Sequence, residues 1–336
     1  MKMKSETLWQ EFNRFSSDMV HGVFPGMDLV QLEPGPLQGW TISARVGPYH
    51  VKAGSFDRVL LYDGRYNPEM VHVGFISSGE HTATSQAHEY SSGVISLDYG
   101  SSYMHEVFPA NMVWVNIFAS ETVVMKGIHY SRKKLHGNPH LLLEGSRDEL
   151  MPLIDLVNEI ILKPSREPAK SNSKLEARFR SILHTLLSSR FAENTYKHPF
   201  VAGDMFRMSL LNKIEKLFLT NGNRPLSLDD ICTVAKMKRR TIQKYFHEIY
   251  GMGPTEYFRI RRLNGARADF MNGATSVSGV AIQWGFTHFG RFSEKYKTIF
   301  NESPRSTIKQ ANASSRLLCS GDTPEPDPPY EQVALD

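Results

Sequence analysis

The stretch RRTIQKYFHEIYGMGP, residues 239–254, has apolar residues at the spacing of one buried face on a short amphipathic helix. They are Ile242, Tyr245 or Phe246, and Ile249. Gly251 and Pro254 predict the end of this helix, since glycine suits the turn after a helix and proline cannot continue one. The opposite face is then free and polar. It carries Arg239, Arg240, Gln243, Lys244 and His247.

The preceding stretch, RPLSLDDICTVAKMK at residues 224–238, predicts a partner helix. Ser227 can cap that helix with Asp230 at its third position, a variant of the capping box. Ile231 and Ala235 supply a small buried face, and a turn at residues 236–238 follows. The two helices predict a helix-turn-helix unit whose polar face enters the major groove of DNA, where Arg recognises guanine, Gln recognises adenine and Lys contacts guanine or phosphate.

A second unit follows in TSVSGVAIQWGFTHFGRFSEKYKTIFNESP, residues 275–304. Val277, Val280 and Ala281 predict its first short helix, and Gly285 and Phe286 predict the turn. The buried stripe of its second helix is predicted to be Phe289, Phe292, Tyr296 and Phe300. The predicted exposed positions are His288, Gly290, Arg291, Glu294, Lys295 and Lys297.

A long helix is predicted between the two units, in PTEYFRIRRLNGARADFMNG at residues 254–273. Its inward positions are Tyr257, Ile260, Leu263, Ala266 and Phe270. We predict that Arg261, Arg262 and Arg267 are among its outward or capping positions.

The tandem arrangement from about Met208 to Ile308 resembles the DNA-binding domain of the AraC/XylS family of bacterial transcription regulators. The matching motifs are RRTIQKYFHEIYGMGP, RRLNGAR, VAIQWGF and RFSEKYKTIFNESP. The resemblance implies seven helices, with two recognition helices entering successive major grooves about 34 Å apart. It places the base-reading positions of the first unit at Arg240, Gln243 and Lys244, and those of the second at Gly290, Arg291 and Glu294. Arg239, His288 and Lys297 complete the predicted DNA-binding set.

Three residues depart from the family pattern. Lys238 stands where a small capping residue is usual, so the first recognition helix has no side-chain cap. Gly290 offers no side chain to a base. Glu294 can accept a hydrogen bond from cytosine N4 but otherwise repels phosphate. We therefore expect the first unit to dominate direct base readout.

The N-terminal part has a different pattern. From about Leu37 to Ser120, short alternating segments with Gly and Pro punctuation predict a β-barrel or sandwich. LVQLEPGPLQGW, residues 29–40, resembles the start of the cupin-like sensor domain found before this type of DNA-binding domain. The resemblance implies a small-molecule effector and a homodimer formed through the helices that follow. Within the family, LEPGPLQG and WGFTHFGRF most resemble regulators of ethanolamine utilisation.

The predicted fold class is α+β and multidomain: a cupin-like β-barrel, a helical linker or dimerisation region, and an all-α domain with two helix-turn-helix motifs. We place the sensor domain at residues 1–145, the helical region at 146–200 and the DNA-binding domain at 201–310. Residues 311–336, rich in Ser, Pro and acidic residues, are predicted to be a disordered tail.

No metal or other cofactor is predicted. A metal-binding cupin needs an HxH pair with a downstream Glu and His, and the spacing of His81, His88 and Glu89 does not fit. We interpret the histidines as scattered surface and core residues, and we identify no catalytic residues. Several aromatic residues could line a ligand pocket or pack the β core equally well. They are Trp40, Tyr49, Tyr99, Tyr103 and Trp114.

Charge supports a polyanionic partner. The chain of 336 residues has a net charge of +4, but residues 224–310 hold fifteen Lys and Arg against seven Asp and Glu, a net of +8. The absence of a long apolar run predicts no membrane span and a cytoplasmic protein. The predicted function is a DNA-binding transcription regulator, an effector-responsive activator that contacts RNA polymerase. The alternatives are a cupin-type metal enzyme with an attached DNA-binding module, and a ligand-independent DNA-binding protein.

Overall fold

The computed structural model describes residues 8–12, 27–65, 69–78, 82–85, 88–99, 103–126, 128, 140–162, 173–192, 196–197, 202–221 and 225–320. These residues divide into two compact units. The first unit contains the described residues of 8–12, 27–29 and 38–207. The second contains residues 30–37 and the described part of 208–320.

The described part of the first unit is built on two β-sheets. Its strands are β1 (Leu8–Phe12), β2 (Met27–Gln31), β3 (Gly39–Val46), β4 (Tyr49–Phe56), β5 (Leu60–Arg65), β6 (Met70–Ser78), β7 (Ala83–Ser85), β8 (His88–Tyr90), β9 (Ile95–Asp98), β10 (Tyr103–Phe108), β11 (Val113–Ser120), β12 (His140–Leu143) and β13 (Tyr196–Lys197). One sheet has the order β1-β3-β4-β11-β6-β9-β12-β13, and the other has the order β2-β5-β10-β7-β8. The strands predicted between residues 37 and 120 are thus continued by further strands on either side.

Alternation along the strands gives the larger sheet two different faces. One face is apolar and packs against two long helices, α2 (Arg147–Leu162) and α3 (Ser173–Ala192), which follow the short helix α1 (Glu121–Val124). Tyr49 at the start of β4 contacts Phe179 of α3, with ring centroids 5.0 Å apart. The opposite face carries buried polar side chains, among them His72, Asp98 and Asn116. Tyr49 therefore packs a core rather than lining a pocket.

The second unit is helical. Its helices are α4 (Ala202–Thr220), α5 (Leu228–Ala235), α6 (Arg239–Tyr250), α7 (Pro254–Met271), α8 (Val277–Gln283), α9 (Phe289–Phe300) and α10 (Pro304–Ser320). The first six residues of α4 belong to the first unit. Seven helices between residues 202 and 320 agree with the number that the family resemblance implies. Residues 311–320, predicted to begin a disordered tail, instead form the end of α10. Residues 321–336 lie outside the described residues, and none of the described helices is long and apolar enough to cross a bilayer.

Candidate nucleic-acid interface

The first helix-turn-helix unit begins with the predicted capping box. The Ser227 hydroxyl accepts a hydrogen bond from the backbone N–H of Asp230 at 3.1 Å, and the Asp230 carboxylate accepts one from the backbone N–H of Ser227 at 2.9 Å. Two N–H groups that a helix start leaves without partners are thereby satisfied. At the other end of α5, Lys236 adopts a left-handed conformation with φ of 53°, which starts the turn. The capping box and the turn at residues 236–238 are confirmed.

The recognition helix α6 has one buried face. Its buried residues are Ile242, Tyr245, Phe246, Ile249 and Tyr250. Both Tyr245 and Phe246 are therefore inside, where the sequence left a choice between them. The Phe246 ring meets Tyr257 and Phe258 of α7 at centroid distances of 5.3 and 5.8 Å. Lys238 at the helix start makes no side-chain cap, and Gly251 ends the helix with φ of 68°, both as predicted.

The polar face of α6 is exposed. Arg239, Arg240, Gln243, Lys244 and His247 are all solvent-accessible. Two of them already have acidic partners. Arg239 donates to the Asp229 carboxylate with its Nε at 3.0 Å and its Nη2 at 2.6 Å, while Lys244 lies 3.5 Å from Glu248. Arg240 and Gln243 have exposed side chains between these pairs, so the face offers both fixed and available donors.

The Arg239–Asp229 pair leads to a prediction about the salt dependence of DNA binding. In Asp229→Asn, Arg239 loses its carboxylate partner and becomes available to a DNA phosphate, which releases one more counterion on binding. We expect a plot of log affinity against log salt to steepen by about 0.9. Glu256→Gln is the matched control, because Glu256 pairs with Arg259 on α7, outside both recognition helices. An unchanged slope in Asp229→Asn would show that the pair does not restrain Arg239.

The second helix-turn-helix unit, formed by α8 and α9, has the same features as the first with one exception. Ser276 caps α8 by accepting from the backbone N–H of Gly279 at 3.0 Å, and Gly285 has φ of 74° in the turn. Helix α9 buries Phe292, Tyr296, Ile299 and Phe300. Phe289, however, is 44% exposed, so its predicted place in the buried stripe is wrong. Periodicity put Phe289 on the stripe, but it does not indicate whether a neighbour covers the first turn of the helix.

The remaining positions of α9 are open to solvent as predicted. His288, Gly290, Arg291, Glu294, Lys295 and Lys297 are all exposed. A Cβ atom placed on Gly290 would meet no other atom within 4 Å. The absent side chain is therefore not required by packing within the described residues, and a nucleic-acid backbone can approach this point closely.

Helix α7 connects the two units, and its arginines are mostly internal. Arg261 and Arg267 are 5% and 3% exposed, so of the two alternatives predicted for them, outward or capping, the outward one is wrong. Arg261 donates to the Glu215 carboxylate at 3.0 Å, and that carboxylate also accepts from the Tyr257 hydroxyl at 2.7 Å. Each arginine is buried because a carboxylate from another element neutralises it, a pairing that helical periodicity alone cannot reveal.

Arg267 and Arg262 connect α7 to the second helix-turn-helix unit. The Arg267 guanidinium donates to Glu302 at 2.7 Å and lies 4.4 Å from the centroid of the Phe300 ring. Arg262 is half-buried, lies 4.7 Å from the Phe286 ring centroid, and donates to the carbonyl oxygen of Trp284 at 3.3 Å. The turn between α8 and α9 is thus fastened to the connecting helix.

Gly265 has a specific packing role in the same region. A Cβ atom at this position would lie 2.2 Å from the Trp284 ring, so only glycine lets the indole rest against α7. The indole N–H donates to Asp269 at 2.7 Å. The RRLNGAR and QWGF motifs are therefore parts of one contact between α7 and the end of α8.

The β-domain, which is the first of the two compact units, contains a group of buried polar residues that sequence analysis did not predict. This polar cluster consists of His72, Ser85, Asp98, Glu106, Asn116 and His140. The two Asp98 oxygens accept from His72 Nδ1 at 2.8 Å and from His140 Nδ1 at 2.7 Å. His72 Nε2 contacts the Asn116 side chain. Ser85 donates to Glu106 of its own sheet at 2.7 Å. Ser85 also lies 3.4 Å from Nε2 of His140 in the other sheet, and this contact links the two sheets.

Burial and neighbouring charge shift the pKa values within the polar cluster. Burial, assisted by the Asp98 charge, raises the pKa of Glu106 from 4.5 to about 7. The pKa of Asp98 is held well below its usual range by the two histidines, chiefly His140, despite burial. The pKa of His140 is raised because Asp98 outweighs the opposing effect of burial. The histidines were predicted to be scattered, but His72 and His140 instead share one carboxylate, and only strand register brings them together.

The other β-domain residues considered in the sequence analysis are not members of this cluster, and some of them lie outside the described residues. Residues 79–81, which include His81, lie outside the described residues, and the His88 and Tyr103 side chains are also undescribed. Trp114 is buried in the β-domain, with its ring centroid 6.3 Å from that of Tyr62. The chemical lining of any effector pocket therefore remains a prediction.

Comparison with known proteins supports the assignment of the helix-turn-helix units independently of the structure. A helix-turn-helix domain family matches residues 231–310. The XylDLEGF operon transcriptional activator 2 of Pseudomonas putida is 32% identical over 133 residues, which cover 39% of this chain and 82% of that protein. The XylDLEGF operon transcriptional activator of the same organism is 27% identical over 169 residues, and the match spans 49% of this chain but only about half, 51%, of that relative.

Among solved structures, the chain is similar to a transcriptional regulator with an AraC-type DNA-binding domain from Chromobacterium violaceum. That similarity has 30% sequence identity and a TM-score of 0.30, and it covers 33% of this chain and 96% of the other.

Proposed function

Since this chain belongs to the AraC/XylS family of DNA-binding transcription regulators, we propose that it is an effector-responsive activator that reads two successive major grooves of DNA. The observation that carries the proposal is the pairing of two helix-turn-helix units on α7. Each unit buries one side of its recognition helix and leaves the other side polar and exposed. Base-edge recognition requires a free polar face of this kind.

The two recognition helices have different chemistry. In α6, Arg240, Gln243 and Lys244 can read guanine and adenine edges by hydrogen bonding. In α9, Arg291 can read guanine and Glu294 can accept from cytosine, while Lys297 and His288, the residue before the helix, can contact phosphate. Gly290 contributes no side chain. The proposal is that α6 supplies most direct readout and that α9 adds a second, shorter contact.

A binding-site selection from a fragmented genomic library tests the proposal. The purified full chain should recover a site with two short boxes about one helical turn apart. Near physiological salt, its affinity for that site should exceed the affinity for random DNA by about 10³–10⁷-fold. Equal affinity for all fragments would contradict sequence-specific regulation and favour a ligand-independent DNA-binding protein.

The variant Arg240→Ala is expected to relax specificity at one base pair of the first box. Loss of a bidentate contact with guanine costs about 1–3 kcal/mol at that position and leaves the other positions unchanged. The measurement is a repeat of the selection with the variant. Lys213→Ala, at an exposed position on α4, is the matched control. Unchanged preference in Arg240→Ala would remove this residue from the base-reading set.

The effector and the protein partners form part of the same proposal. The described β-domain has a buried polar cluster that joins its two sheets, and a small molecule binding beside it could alter their packing. Such an effector can shift the protein from one conformation to another only if it binds the two conformations with different affinities. We propose a homodimer formed through α2 and α3, contact with RNA polymerase, and action in the cytoplasm, where bacterial DNA is accessible.

A metal enzyme is the alternative function, and the polar cluster does not favour it. Within this cluster, a metal ion bound through imidazole would use nitrogens of His72 and His140 as ligands. All four of those nitrogens already lie within hydrogen-bonding distance of Asp98, Asn116 or Ser85. Metal analysis of the purified protein tests this alternative. A stoichiometric metal bound through these histidines would favour a metal enzyme over an effector sensor.

A further inference from the structure

Residues Val30–Leu37, here called the 30–37 segment, belong to the helical unit although they lie near the start of the chain. Gln31 is fully buried, and Leu32 and Leu37 are each 2% exposed. This segment contains the EPGP stretch that was interpreted as the start of the sensor domain. Its hydrogen bonds show two attachment points, one on the connecting helix α7 and one on the recognition helix α9.

The attachment to α7 is made by Asn264. The Asn264 side chain accepts from the backbone N–H of Gln31 at 2.9 Å and donates to the Gln31 carbonyl oxygen at 3.1 Å. Its Nδ2 also donates to the Ile260 carbonyl, one turn earlier in α7, at 2.9 Å. One amide side chain thus satisfies both backbone groups of Gln31, as a neighbouring strand would. Asn264 is itself only 7% exposed, so water competes little with these bonds.

The attachment to α9 is at the end of that helix. The carbonyl oxygen of Ile299, the penultimate residue of α9, accepts from the Gln31 side-chain amide at 3.0 Å and from the Gly35 backbone N–H at 2.9 Å. The last carbonyls of a helix lack partners within the helix. The 30–37 segment therefore supplies a C-terminal cap to the second recognition helix from a distant part of the chain.

The segment is shaped for this contact. The Gln31 Nε2 atom also donates to the carbonyl oxygens of Glu33 at 2.8 Å and Gly35 at 2.7 Å, which closes the loop on itself. Gly35 has φ of 123°, a conformation that residues with a side chain rarely adopt. The two hydrogens of this amide are therefore shared among three carbonyl oxygens, those of Glu33, Gly35 and Ile299. The same side chain thus holds the loop together and caps α9.

We propose that the 30–37 segment is a positioning element for the second recognition helix, because it joins α7 to the end of α9. It acts with the Arg267–Glu302 pair, which fastens α7 just beyond the same helix end. Its first two residues are the end of β2, and β3 begins two residues after Leu37, so the β-domain is joined covalently to both ends of the segment. This inference rests on the proposed reading of DNA by both helix-turn-helix units.

The test is a footprint of the full chain on its selected two-box site, with protection of each box measured against protein concentration. The box bound by α9 is identified first, as the one that Arg291→Ala weakens. Gln31→Ala removes the side-chain cap but retains the backbone bonds with Asn264. We expect about tenfold weaker protection of the α9 box, the effect of losing buried hydrogen bonds, and less than about twofold change at the α6 box.

Two further variants make the result specific. Asn264→Asp keeps the acceptor for the Gln31 N–H but loses the donor to its carbonyl, and it should weaken the same box. Gln38→Ala makes the same substitution as Gln31→Ala at an exposed position just past the segment, and it should change neither box. Protection of the α6 box also reports that the helical unit is folded.

The possible outcomes separate the inference from the function on which it rests. Equal weakening of both boxes, or no change at either box, in Gln31→Ala would overturn the positioning role while two-box recognition stands. Protection of a single box or of no box by the unmodified chain would overturn the proposed function, and the inference with it.

Discussion

Glu215→Ala is expected to lower the free energy of unfolding of the helical unit by about 3–5 kcal/mol. The Glu215 carboxylate neutralises Arg261 and accepts from the Tyr257 hydroxyl, and the paired side chains of Glu215 and Arg261 are each 3% exposed. Its removal leaves a buried guanidinium without this partner, which costs far more than the loss of a surface pair. Hydrogen exchange of the amides in α4 and α7, in the full chain, measures this loss locally.

The matched comparison for Glu215→Ala is Glu256→Ala on α7. Glu256 pairs with Arg259 at the surface, where the two side chains are 40% and 34% exposed. A surface pair contributes about 0–1 kcal/mol, so this variant should leave amide protection almost unchanged. Similar losses in both variants would show that Arg261 can be solvated when its partner is removed, contrary to the burial seen here.

Glu106→Gln is expected to stabilise the β-domain at pH 8 by about 3 kcal/mol. The pKa of Glu106 in the folded protein is raised from 4.5 to about 7, mainly by burial. A raised carboxyl pKa means that the folded state binds the proton more tightly than the unfolded state. Stability from this group is therefore greatest below about pH 4.5 and declines as the pH rises to about 7. Glutamine is neutral throughout and keeps the shape of the protonated acid.

Urea denaturation at pH 5 and pH 8 measures this effect. A Trp284→Phe background leaves Trp9, Trp40 and Trp114, all in the first unit, as the fluorescent probes. The gain in Glu106→Gln should be much larger at pH 8 than at pH 5. Glu89→Gln, at an exposed position on β8, is the matched control for the loss of one carboxylate. The pKa of His140 is raised mainly by Asp98 and to a smaller extent by Glu106, and His140 loses its stabilising contribution as the pH rises. This part of the profile should therefore persist in Glu106→Gln in reduced form.

Helix α7 shows which of its buried positions can be predicted from sequence and which cannot. The buried positions Tyr257, Ile260, Leu263, Ala266 and Phe270 were all predicted from helical period, and all are buried. Arg261 and Arg267 were predicted to be among the outward or capping positions, but both are buried. Period depends on neighbours within one helix, whereas burial of an arginine depends on a carboxylate from elsewhere, here Glu215 or Glu302.

The sequence by itself determined the two helix-turn-helix units, their caps and their exposed polar faces. These features depend on residues three or four positions apart, and local backbone hydrogen bonding enforces that spacing. Only the tertiary structure decided that the 30–37 segment joins the helical unit, through Gln31 and Asn264. It alone brought His72, Asp98 and His140 together across three strands. The physical reason is that such contacts depend on strand register and on packing between residues far apart in the chain, which no local pattern encodes.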